Sequence, residues 1–181
     1  MTPIETFWIG LVAFFAIAGV VRGFLKELGV TLVLVVALFG LTRLTSNMPR
    51  VLDLASSLLH MPLRNWVERA TAFWLLFYLG ILIGVLIIAY QGYVIKYPGS
   101  EPKGVQGTVL SFMVGLINGY LAVGSVWYYV HQYEAPVRAL GLLQYDYSPL
   151  AQRLLRVLPP QILEPYLPFL VVFMFILLVL K

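Results

Sequence analysis

Between Ala70 and Tyr90 the chain reads "ATAFWLLFYLGILIGVLIIAY", without one charged side chain. That length of apolar backbone suits hydrocarbon, because about twenty helical residues cross a bilayer core. In lipid each peptide group has to find its hydrogen bond within its own segment, so the stretch is a helix. Similar runs occur at Thr6–Val21, at Val30–Leu41 and from about Val105 to Tyr129. Of the 181 residues, 61% are hydrophobic and 11% charged, and the mean hydropathy is +0.90. Soluble domains have about 45–50% apolar and about 25% charged residues. No soluble core of this size could bury the excess, so the sequence predicts an all-α, polytopic membrane protein with four transmembrane helices.

The segments between the spans add detail. The first run has no small-residue cleavage site after it and reads as a membrane helix, not a removable signal. In "NMPRVLDLASSLLH", Val51, Leu52, Leu54, Ala55, Leu58 and Leu59 recur at helical spacing opposite Arg50, Asp53, Ser56, Ser57 and His60. This predicts a separate interfacial amphipathic helix, with Pro49 in its first turn and Pro62 at its end. A second amphipathic helix is expected in "SPLAQRLLRVLPP", capped by Ser148 and stopped by Pro159 and Pro160. From Leu167 to Lys181 the chain is again apolar, a short fifth helix of roughly 21 Å against a core of about 30 Å. The aromatic "VWYYV" after Ser125 is expected to form an interfacial belt. The short turn with Arg22 and Lys26 argues for a cytoplasmic location, leaving the N-terminus outside, although counting the basic residues of all loops argues the reverse.

Small residues recur at every fourth position through the last long span: Gly107, Ser111, Gly115 and Gly119. Gly80 with Gly84, and Gly19 with Gly23, repeat the spacing in the third and first spans. Such faces let another backbone approach closely, and in lipid that close packing drives helix association. The sequence leaves open whether the partner helix lies in this chain or in another.

Evidence for chemistry is sparse. Cysteine is absent, which removes disulfides, thiolate metal sites and cysteine nucleophiles. No zincin, phosphate-loop or nucleophile-elbow motif occurs, so no enzyme and no cofactor is expected. The net charge of +4 is spread over loops without a dense basic run, which argues against nucleic acid. The spans carry no ionisable residue in their middle thirds, unlike proton relays and voltage sensors. Asn118, near a span's centre, reads as interhelical glue, with a polar path as the alternative. His60 and His131 lie outside the spans and read as interfacial. Glu27, Asp53, Glu68 and Asp146 stand near charged partners and read as solvated or interfacial.

The order of these features resembles the CvpA family, the colicin V production proteins of bacterial inner membranes. The most specific match is "RGFLKELG", with Arg22, Gly23, Phe24, Lys26 and Glu27 in the turn between the first two spans. The glycine-rich fourth span with Gly115 and Gly119, and "SPLAQRLL" before "LPP", are also similar. Asn118 stands where many relatives carry Arg. The resemblance covers about residues 5–160 and divides the chain into a CvpA-like membrane domain, 1–160, and an extra hydrophobic helix, 161–181. It implies a non-catalytic, multi-pass protein of the bacterial inner membrane, linked to envelope or export functions. Its partners would be membrane lipid and other membrane protein subunits. The alternative is an accessory structural subunit of a large photosynthetic or respiratory membrane complex.

Overall fold

The computed structural model describes residues 4–60, 71–91, 95, 97–141 and 147–179. The described residues form α1 (Ile4–Arg22), α2 (Phe24–Leu59), α3 (Thr71–Gln91), α4 (Gly104–Gln132), α5 (Glu134–Ala139), α6 (Pro149–Leu155), α7 (Pro159–Leu163) and α8 (Leu167–Val179). No strand occurs among them. The first four are each long and apolar enough to cross a membrane. α4 is the hub of the bundle: α1 packs along it most extensively, and α2, α3 and α7 also rest on it.

The core follows from helical periodicity. Val30, Leu34, Val35, Leu38 and Leu41 place one face of α2 against Tyr78, Leu82 and Ala89 of α3 and Leu121, Ala122 and Tyr129 of α4. At one end of this core the Tyr78 ring stacks on Tyr129, with centroids 4.5 Å apart, and its hydroxyl lies 2.8 Å from that of Thr45. Trp127 and Tyr129 are buried, Trp127 against Trp8 of α1. The expected aromatic belt is therefore partly internal packing. At the end of α4 the indole and phenol rings fill space between helices that smaller side chains would leave empty.

The first amphipathic segment differs from expectation. It is not a separate helix but the second half of α2, which runs 36 residues with Pro49 inside it. Proline removes one backbone bond, and side chains add bonds in the turns before it. Ser46 Oγ and Asn47 Nδ2 donate to the Arg43 carbonyl at 3.1 and 2.8 Å, and Thr45 Oγ1 to that of Leu41 at 2.9 Å. At 1.5 Å per residue α2 is about 54 Å long, well beyond a bilayer core of about 30 Å. The half beyond Leu41 buries no side chain, and Val51, Leu54 and Leu58 stay exposed. The helix ends at Leu59 before His60, whose φ is 52°; Pro62 lies outside the described residues.

The second amphipathic segment starts as its sequence predicts. Ser148 Oγ accepts the Ala151 N–H at 3.0 Å and donates to Glu5 at 2.5 Å, which ties α6 to the start of α1. The helix stops at Leu155, and Pro159 opens α7 instead. The α6–α7 segment and α8 are together long and apolar enough for one span, bent by 63° between them. α8 has 13 residues, about 20 Å of helix. Leu167 at its start joins the main core, and Met174 meets Leu25 and Leu32 near the start of α2. There Tyr97 donates its hydroxyl to the Met174 carbonyl at 2.8 Å.

Candidate functional site

The polar chemistry gathers where α1 turns into α2. A single residue, Gly23, separates the two helices, with φ at 93°, a region that side-chain-bearing residues rarely adopt. This sharp turn puts Arg22, the last residue of α1, beside Glu27 in the first turn of α2, with Nε and Oε1 2.7 Å apart. Glu27 is fully buried, whereas the Arg22 side chain keeps 25% of its surface.

Three more helical side chains close around the pair. Asn118 of α4 donates through Nδ2 to Glu27 Oε2 at 2.7 Å and to the Glu27 carbonyl at 3.0 Å. Tyr90, near the end of α3, donates its hydroxyl to Glu27 Oε2 at 3.2 Å. Thr31, one turn along α2, lies 2.7 Å from Asn118 Oδ1 and 3.0 Å from the Glu27 carbonyl, with its single proton shared between them. Arg22 Nη1 donates to the Tyr90 carbonyl at 2.8 Å, and the guanidinium lies over the Tyr90 ring, 4.5 Å from its centroid. Both Glu27 oxygens are thus engaged, and four helices meet at one carboxylate. Outside this hub, Glu101 takes the Leu25 N–H with both oxygens at 3.3 Å and so holds the start of α2.

These contacts correct the expectation that Glu27 is solvated or interfacial. At helical spacing Glu27 falls on the same face of α2 as the buried Val30 and Leu34, and Asn118, ninety-one positions away, supplies a partner. Asn118 bonds α4 to α2 as interhelical glue does. Sequence reasoning missed Thr31, Tyr90 and Glu101. The usable signals were an asparagine in hydrocarbon, which needs a partner, and an arginine followed at once by a glycine and, five positions on, by an acid.

The small-residue ladder sits next to the hub. A Cβ placed on Gly115 would meet the Phe15 carbonyl oxygen at 2.6 Å and the Gly19 Cα at 3.0 Å. One on Gly19 would meet the Ser111 carbonyl oxygen at 2.6 Å, and one on Gly119 the Val12 carbonyl oxygen at 2.9 Å. The backbone across from these rungs of α4 is α1 of the same chain. Ser111 is buried and returns its hydroxyl to the Gly107 carbonyl at 2.7 Å, and Gly107 faces the Pro102 carbonyl. Gly80 and Gly84 differ: among the described residues nothing lies within 4 Å of a Cβ at either position. Phe24 packs at the edge of the Leu25, Leu32 and Tyr97 cluster, and Lys26 is exposed.

At the opposite end, His131 lies 3.4 Å from the Tyr147 hydroxyl and 3.7 Å from Glu134, beside the Arg138–Glu134 pair at 3.3 Å. Burial, with the Glu134 charge beside it, holds the Tyr147 phenol above its ordinary pKa. Asp53 is exposed, and Glu68 and Asp146 lie outside the described residues. No three His, Asp or Glu side chains converge as metal ligands among the described residues.

Among known families, the one described as colicin V production protein matches residues 4–144, which takes in the four long helices and the hub but not the Ser148–Leu155 segment. No curated protein and no solved structure matches the chain.

Proposed function

The chain belongs to the colicin V production protein family, and from that premise we propose that it is a non-catalytic scaffold of the bacterial inner membrane. It works by associating, helix against helix, with other membrane proteins of the envelope or export machinery. The Arg22–Lys26 turn faces the cytoplasm in this reading.

The supporting observation is how unevenly the small residues are used. The α4 ladder is filled by α1, and the hub's carboxylate is fully buried, with Oε2 hydrogen-bonded and Oε1 paired with Arg22, so neither is open to a substrate or partner. On α3 the situation is reversed: among the described residues Gly80 and Gly84 are open. Leu76, Ile83 and Ile87 stand exposed on the same side of that helix. A helix of this kind can take a second helix at close range in lipid. The reading as a photosynthetic or respiratory accessory subunit gains no support from the family match.

The test is to isolate the tagged chain in mild detergent, with mass spectrometry of co-migrating proteins. The scaffold reading expects a stoichiometric membrane partner that Gly84→Leu removes while the variant itself still folds and accumulates. A wild-type chain that migrates alone, or a partner that survives Gly84→Leu, would refute it.

A further inference from the structure

A cleft of about 440 Å³ opens at the Arg22 end of the bundle, between the α1–α2 turn and the start of α4. Its walls carry Arg22, Lys26 and Thr108, and the exposed Gly104 leaves backbone accessible within it. Val20 and Val21 form an apolar rim, Val21 being 84% exposed. We infer that this cleft binds the phosphate of an anionic amphiphile, the headgroup of an acidic phospholipid.

Three features support the inference. The Arg22 guanidinium is held in place by its ion pair with Glu27 and by the Nη1 hydrogen bond to the Tyr90 carbonyl. Arginine has five N–H donors in a fixed fork, so donors remain at a side chain that is one-quarter exposed and lines the cleft. Lys26, four residues on, adds a second cation, and a helix-end basic pocket at headgroup depth suits acidic lipid. The chain already holds one oxyanion here, since the Glu101 carboxylate sits in the same cleft on the Leu25 N–H. The Glu27 carboxylate that pairs with Arg22 is fully buried behind it, so the charges that line the cleft itself are Arg22, Lys26 and Glu101, and the valine rim lies where an acyl chain would leave the headgroup. Free phosphate shares the charge but makes no use of this rim.

The purified full-length chain in neutral detergent is titrated with phosphatidylglycerol, phosphatidylcholine or inorganic phosphate, and bound molecules are counted by native mass spectrometry. Phosphatidylglycerol should be retained and phosphatidylcholine should not. Because each nearby basic residue contributes about a fivefold affinity for acidic lipid, Lys26→Gln should weaken binding by about that factor. Glu101→Gln keeps the acceptor for Leu25 but removes the opposing charge, so it should tighten binding. Both side chains are exposed, and unchanged melting of Lys26→Gln separates lost binding from lost folding. If inorganic phosphate competes at equal concentration, the lipid headgroup is overturned as the ligand. Equal retention of the two lipids, or variants that fail to move affinity in opposite directions, would overturn the site itself.

Discussion

Adding one methyl group at Gly115 tests whether the α1–α4 contact holds the bundle together. In Gly115→Ala the new carbon would lie 2.6 Å from the Phe15 carbonyl oxygen, 3.0 Å from the Gly19 Cα and 3.1 Å from the Ala16 Cα. All three are backbone atoms, so no rotamer change relieves the clash, and α1 has to retreat until the shortest distance reaches about 3.4 Å, an ordinary contact. Helices move as rods, so the neighbouring contacts at Gly19 and Gly119 open too. A gap of about 0.5–1 Å forfeits a quarter to a half of each contact's attraction. Overpacking of this kind costs about 1–3 kcal/mol. A value near 2 kcal/mol lowers the folded ratio about thirtyfold and, for a chain of this size, lowers Tm by about 4–8 °C. Gly10→Ala, on α1 with nothing among the described residues within 4 Å, is the control and should melt like the parent. The assay is thermal unfolding of purified protein in one detergent, followed by near-UV circular dichroism. Gly19→Ala should behave like Gly115→Ala, and the double variant should fall short of additivity because one retreat of α1 serves both. If Gly115→Ala melts within about 1 °C of the parent, against the several degrees expected per kcal/mol, or Gly10→Ala falls as far, the close contact is not what holds the helices.

Three further outcomes are expected. Glu27→Gln leaves Arg22 facing a neutral amide; breaking a buried pair costs about 3–5 kcal/mol, and the partial exposure of Arg22 reduces this to about 2 kcal/mol, measurable as a lower Tm. A double-mutant cycle with Asn118→Ala should give a coupling above about 0.5 kcal/mol, and strict additivity would dissolve the hub as a unit. Gly23→Ala forces a side chain into φ 93° with its Cβ 3.1 Å from the Glu101 carboxylate, and should cost about 1–2 kcal/mol in chemical unfolding; a neutral result would mean that the turn relaxes freely. Ser148→Ala loses the Ala151 cap and the bond to Glu5 and should cost about 1 kcal/mol, with faster proteolysis near α6 as the local readout.

Much of this was legible in the chain itself. The uncharged run from Ala70 to Tyr90 settled the solvent, because backbone in hydrocarbon has few ways to satisfy its hydrogen bonds. The ladder from Gly107 to Gly119 announced a close contact, and Ser148–Pro149 announced a helix start. These are local signals, written within one or two helical turns. Their limit shows at Pro49, where a residue that usually opens a helix instead sits inside α2, since the side chains of Thr45, Ser46 and Asn47 add bonds to the turns before it.

Only the tertiary structure decided what each signal meets. The α4 ladder faces α1, whereas the similar spacing of Gly80 and Gly84 faces nothing among the described residues, and no feature of the glycines themselves separates the two. Glu27 read as a surface acid because its nearest neighbours in sequence include Lys26; its burial depends on Asn118 and Tyr90, which come from helices far along the chain. A helix fixes the angle between its own side chains but not which face meets which neighbour. Pairing across the bundle is set by the packing of all the helices together, and that placed a carboxylate at the meeting point of four of them.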